Sequence, residues 1–332
     1  MRLMKALAGT LMVTVAVVGA AGSVAFAQPA GAATAAWTQL SPTTSPSPRY
    51  AATMAYDRST TQLILFGGSS TTQRRSNDTW VWSGSNWQQL SPPTSPPGRW
   101  GAAMAYDSTT GQLVLFGGIG SNGLMNDTWI WNGTTWTKSD PATRPGPEWF
   151  PMLSDDPATG QLVLFGGLRP NDHSLGTTWT WNGSTWTKTA PATSPPPDYV
   201  GGLAFDVASN QQVLDGGNNN GSRAYHRTWI WTGTDWVMLR TPTGPGPRSA
   251  FTMAYDPDLS ELVLFGGGGR HSLLGSTWGF NGSTWTNLSA TGPPARNYSV
   301  SAFDAATSQF LLFGGNTNKG VQPLLNDTWS FG

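Results

Sequence analysis

The chain has 332 residues, with 18 Lys and Arg against 18 Asp and Glu, and this formal net charge of zero argues against electrostatic capture of nucleic acid. It has no Cys, which excludes a disulfide framework and thiol chemistry. A chain of this size can bury a large core.

In chain order, Arg2 and Lys5 precede an apolar stretch from Ala6 to Val18, and Ala25-Phe26-Ala27 forms a small-residue cleavage site. Residues 1–27 therefore predict a signal peptide, residues 28–36 a short linker, and the mature chain is expected outside the cell or in a periplasm. No other segment approaches the ~18 apolar residues of a membrane span. Next comes Trp37-Thr-Gln-Leu40, which matches Trp87-Gln-Gln-Leu90 fifty residues on.

From there the chain repeats. Gly-Gly doublets at Gly67, Gly117, Gly166, Gly216, Gly266 and Gly314 recur at steps of 50, 49, 50, 50 and 48 residues, each closing an apolar run such as Gln112 to Phe116. One unit contains a strand ending at Asp107, a turn at Ser108 to Gly111, and an apolar strand to Phe116. A variable loop follows, then Asp127-Thr-Trp-Ile-Trp131, an Asn132-Gly133 hairpin and Thr135 to Lys138. Asn-Gly between β runs supplies the two positive φ angles that a type I′ turn needs. Each repeat thus predicts four strands, and a ~50-residue period of such units predicts a six-bladed all-β propeller of the kelch type. The third-strand Trp occurs six times, but the chain stops at Gly332 before a sixth fourth strand. Trp37 to Leu40 supplies the missing strand, so residues 37–332 are expected to close on themselves and leave no free edge. Pro/Ser/Thr stretches such as Ser91 to Pro97 recur before each first strand and connect the blades.

The doublets, the Asp-Thr-Trp strands and their spacing resemble secreted bacterial kelch-repeat proteins over the whole of residues 37–332. The resemblance implies architecture more than activity, because propellers host lectins, enzymes and scaffolds alike. Galactose oxidase in the wider superfamily uses a Tyr cross-linked to a Cys, which a Cys-free chain cannot build, so no cofactor is expected.

Of the 18 Trp, sixteen repeat with the blade and read as core. Trp100 and Trp149 do not. They sit one residue into the first strand, where other blades have Tyr50, Tyr199, Ser249 and Asn297, and could form an aromatic platform at the channel mouth. The residue before them is Arg49, Arg99, Glu148, Asp198, Arg248 and Arg296 in blade order, and two before the leading third-strand Trp stand Asp78, Asp127, Thr177, Arg227, Ser276 and Asp327. Ion pairs across the doublet are expected in blades one, two and six, with a swapped Asp198–Arg227 pair in blade four. Glu148 faces Thr177 without a cation in the column, and Arg248 faces Ser276. Asp215 stands where five blades have Phe, and must be hydrogen-bonded or face a polar cavity. Blade three also carries Pro151 inside its first strand and Asp155 in a Tyr/Phe position at the other end of the channel.

The three His, His173, His226 and His271, fall in second-to-third-strand loops of blades three to five without a metal-ligand spacing, so no metal site is expected. Repeated Asp residues from Asp57 to Asp304 read as turn caps. The candidate ligand-binding set is Trp100, Trp149, Glu148, Asp198, Tyr199, Asp215, His173, His226 and Arg223, over blades two to four. Three functions fit: a binding module for a glycan or cell-surface saccharide, a sugar mutarotase resembling periplasmic kelch sialic acid mutarotases with Glu148 as its acid, or a protein-interaction scaffold. No motif fixes a nucleophile, so a non-enzymatic monomer with a glycan or protein ligand is the expectation.

Overall fold

The computed structural model describes residues 35–170, 173–219, 223–224, 226–288, 291–317 and 323–332. Residues 1–27, expected as a signal peptide, and most of the expected linker lie outside this range. Among the described residues there is no helix long and apolar enough to cross a membrane.

Six antiparallel four-stranded sheets follow one another along the chain. In blade one the strands from the centre outward are Thr53–Asp57, Gln62–Phe66, Thr79–Trp82 and Trp87–Leu90. Blades two to five repeat this order. Blade six has Val300–Asp304, Gln309–Asn316 and Leu324–Phe331, with Trp37–Leu40 as its outer strand. That strand pairs antiparallel with the C-terminal one, Trp37 opposite Phe331 and Leu40 opposite Thr328, so the circle closes as its sequence predicts.

The second strand of each blade is sandwiched on both faces. Leu63, Ile64, Leu65 and Phe66 are all buried, and equivalent runs recur around the ring. Their side chains join clusters that straddle blade boundaries, such as Phe66 with Trp129, Trp131 and Trp136. Burial of this kind, at roughly 25 cal/mol per Å2 of apolar surface, is the main force holding the blades together.

A polar ring reinforces that packing. The outer-strand indole N–H of each blade donates to the Thr hydroxyl that opens the third strand of the preceding one: Trp136 to Thr79 at 3.0 Å, Trp186 to Thr128 at 2.9 Å, and so on to Trp37 with Thr277 and Trp87 with Thr328. A buried indole needs an acceptor, and this Thr column supplies one at every interface. The Gly-Gly doublets also lie at interfaces. Gly67 has φ +69° and its missing Cβ would fall 2.7 Å from the Arg99 carbonyl of the next blade, so no other residue fits.

Near the channel mouth lies a belt of left-handed residues, Ala51, Gly101, Phe150, Val200, Ala250 and Tyr298, with φ between 50° and 64°. Ala51 N–H donates to the Tyr298 carbonyl, Gly101 to Ala51, Phe150 to Gly101, Ala250 to Val200 and Tyr298 to Ala250. Only the step from Val200 to Phe150 lacks its bond. Four of the five non-glycine residues, all but Val200, donate their amides to a neighbouring blade, which offsets the strain of a positive φ.

Candidate functional site

The charges of the innermost strands are mostly committed to the fold. Arg49 with Asp78, Arg99 with Asp127 and Arg296 with Asp327 form two-pronged ion pairs, with Nη1 to Oδ1 distances of 2.7, 2.6 and 2.6 Å. The same Nη1 atoms donate to the carbonyls of Gly67, Gly117 and Gly314. Each Asp then accepts the indole N–H of the following Trp at 2.7 Å. Arg49 also donates to Ser47 through Nε and Nη2, which engages all five of its N–H groups. A guanidinium this well satisfied is part of the blade.

Blade four does not form the expected swapped pair. No ion pair joins Asp198 to Arg227, and Arg227 is exposed. The Asp198 carboxylate instead folds onto the doublet, where it accepts the Asn218 backbone N–H and leaves no room for a Cβ at Gly217. The physical reason is competition: a backbone N–H beside the doublet holds the Asp198 carboxylate on its own side, while the Arg227 side chain lies exposed. Burial pushes its pKa well up, backbone N–H groups pull it down, and nearby Asp215 raises it further.

Asp215 is fully buried. Its Oδ1 accepts the Thr228 hydroxyl at 2.8 Å, while Oδ2 has no partner. Burial raises its pKa to about 7, against the pull of Thr228 and of Arg248 in blade five. Arg248 donates to Gly266, to Pro245 and, at 3.2 Å, to Ser276, the partner its column assigns to it. In blade three, Glu148 is 1% exposed and neither carboxylate oxygen has a hydrogen-bond partner among the described residues. Burial pushes it up to about 8, with Arg169 pulling the other way.

The two ends of the channel differ. At the mouth the rings pack on one another: Tyr50 on Trp100 at 5.6 Å between centroids, Trp100 on Trp149 at 4.8 Å, Trp149 on Phe150 at 5.2 Å and Phe150 on Tyr298 at 5.2 Å. Beneath this cluster the channel narrows to a space of about 120 Å3 walled by Phe150, Val200 and Tyr298. On the outer side a pocket of about 410 Å3 opens between Tyr50, Trp100 and the loop carrying Ser69, Ser70, Thr71, Arg74 and Arg75. At the far end the channel widens into a cavity of about 640 Å3, lined among others by Tyr56, Tyr106, Asp155, Phe205, Tyr255 and Phe303. Glu148, Asp198, Asp215, Trp149 and Tyr199 line none of these spaces.

The comparisons with known proteins agree with this geometry. Residues 31–154 match the model of the KLHDC2/KLHL20/DRC7 Kelch-repeats domain. That match spans less than half of the chain and covers the closing strand, blades one and two and the start of blade three. No curated protein matches. Among solved structures, one titled "Structure of YjhT" is 17% identical with a TM-score of 0.66, over 86% of this chain and 95% of that one. At that identity the likeness shows the fold alone, and 402 matching chains make the fold a weak guide to activity.

Within the propeller the sequence-selected residues separate into groups. Trp100 and Trp149 are in contact, and Asp198 and Asp215 act on each other electrostatically. The His residues are not gathered. His173 and His271 are exposed, while His226 packs over Gly244 with its pKa lowered by burial and by Arg248. No group of three or more potential metal-binding side chains occurs among the described residues. The side chain of Arg223 lies outside the described part. Arg74 and Arg75 were not singled out by sequence, because they sit in a loop that does not repeat. The signal available was their position, a doubled Arg six residues past the blade-one doublet, in its second-to-third-strand loop.

Proposed function

We propose that this Kelch propeller is an exported, non-enzymatic binding protein that holds an acidic saccharide on the mouth face between blades one and two. The observation that carries the reading is the pocket bounded by Tyr50 and Trp100 on one side and by Ser69, Ser70, Arg74 and Arg75 on the other. Aromatic rings suit the C–H face of a pyranose, and a pair of guanidinium groups suits its carboxylate. The signal-peptide pattern before Gln28 supports export. A mutarotase acting through Glu148 has less support: the carboxyl has the raised pKa of a general acid, but it is sealed from the pockets described above.

Glycan-array binding of the mature chain tests the reading. Uronate-bearing or other carboxylated glycans should bind the wild type and lose binding with Trp100→Ala and with the Arg74→Ala/Arg75→Ala double variant. Absence of glycan binding, or equal profiles in all three proteins, would leave a protein-interaction role as the surviving reading of the propeller.

A further inference from the structure

The residue before each turn-capping Asp is Tyr56, Tyr106, Asp155, Phe205, Tyr255 or Phe303, one per blade. All six line the wide cavity at the end of the channel opposite the mouth. Five are aromatic and one is a carboxylate. Unlike the rings at the mouth, no two of these five make a ring contact with each other; Tyr56, Tyr106, Tyr255 and Phe303 pack on one side against the blade cores and line the cavity with the rest of their surface. At about 640 Å3 the cavity is in the range of small-molecule sites.

Asp155 is only half committed to the protein. Its Oδ1 accepts the Ser108 backbone N–H at 3.3 Å and the Ser108 hydroxyl at 3.1 Å. Its Oδ2 has no hydrogen-bond partner among the described residues and is not among the sealed polar atoms. The wall also holds a cation already. The exposed Arg58 guanidinium lies over the Tyr106 ring, 5.8 Å from its centroid. An aromatic wall attracts cations through the negative face of each ring.

We propose that this cup is a binding site for a small organic ammonium ion, its charge set against Asp155 and its alkyl or aryl body against the surrounding rings. An anion would meet the carboxylate with repulsion, whereas a neutral molecule would gain the aromatic contacts but nothing from Asp155. Burial raises the Asp155 pKa to about 6, with Ser108 and Arg58 lowering it and Asp107 raising it, so the group is mostly ionised above neutral pH. Arg58 competes for the same carboxylate. The site is independent of the saccharide pocket at the mouth.

The test is calorimetric titration of the full mature chain with benzyltrimethylammonium and choline, set against dimethylbutanol, the uncharged carbon isostere of choline. Both cations should bind, and the isostere should bind at least roughly tenfold more weakly, a difference of about 1.4 kcal/mol. Asp155→Asn should weaken the cations by a similar factor and remove the loss of affinity seen below about pH 6 in the wild type. Arg58→Ala, at an exposed position, should leave cation binding equal or tighter. Equal affinity for choline and its isostere, no effect of Asp155→Asn, or loss of binding in Arg58→Ala would each overturn the proposal.

Discussion

Both ends of the central channel are ringed by aromatic side chains, yet one ring is packed and the other is open. At the mouth, Tyr50, Trp100, Trp149, Phe150 and Tyr298 pack on one another above a hydrogen-bonded belt of left-handed residues, and of these five only Tyr50 and Trp100 also line the pocket on the outer side. At the opposite end, five rings and Asp155 stand around a cavity. The difference teaches that aromatic density does not mark a ligand site by itself: two Trp outside the repeated columns are largely consumed by packing, while a ring made of ordinary repeat residues keeps a face on a cavity. What distinguishes the second ring is its single carboxylate.

The charged residues divide in the same way, which gives the largest expected effect. Arg99 near the mouth is buried and bound to Asp127, Gly117 and Pro97, whereas Arg58 at the cup is exposed with a ring contact. Arg99→Met strands the Asp127 carboxylate and should cost about 3–5 kcal/mol of folding stability in a denaturant titration. Arg58→Met should cost less than about 1 kcal/mol. Comparable losses would erase the distinction between a structural and a free end.

The buried acids sharpen the contrast as a function of pH. Burial pushes Glu148 up to about 8 in the folded protein, against its ordinary value of 4.5. The folded state therefore holds the proton more tightly, and the stability this confers is fully present below about pH 4.5 and lost as pH rises through about 8. Asp215, raised from 3.8 to about 7, acts in the same direction. Glu148→Gln should accordingly be more stable than the wild type at pH 8.5 by on the order of a few kcal/mol, with the gap closing toward pH 5. A gap that stays constant across this range would mean that Glu148 is not held as a buried acid.

Much of the fold was legible because it is written six times. The doublet period, the Asn-Gly turns and the displaced Trp37 strand specify four-stranded blades and their closure, and a guanidinium long enough to cross a doublet specifies the pairs of Arg49, Arg99 and Arg296. The reading failed where the charges change places. Asp198 and Arg227 carry the right charges in swapped positions, but a backbone N–H at Asn218 takes the carboxylate instead. The left-handed belt was illegible because Ala51, Phe150 and Val200 carry no propensity for positive φ; inter-blade bonds impose it. The cup was half legible: Asp155 stood out from its column, but a column of Tyr and Phe gives no sign in sequence of whether its rings will meet.

The central claim is that the channel is closed at the mouth and open at the Asp155 end, and a chain without Cys allows it to be measured directly. Ala254→Cys places a thiol in the wall of the wide cavity, and Ala52→Cys places one in the narrow space beneath the mouth cluster. The measurement is the rate at which each single-Cys protein reacts with a bulky maleimide. Ala254→Cys should react many times faster, and adding Phe150→Ala should accelerate only Ala52→Cys. Equal rates, or faster labelling of Ala52→Cys in the otherwise unaltered chain, would contradict the account.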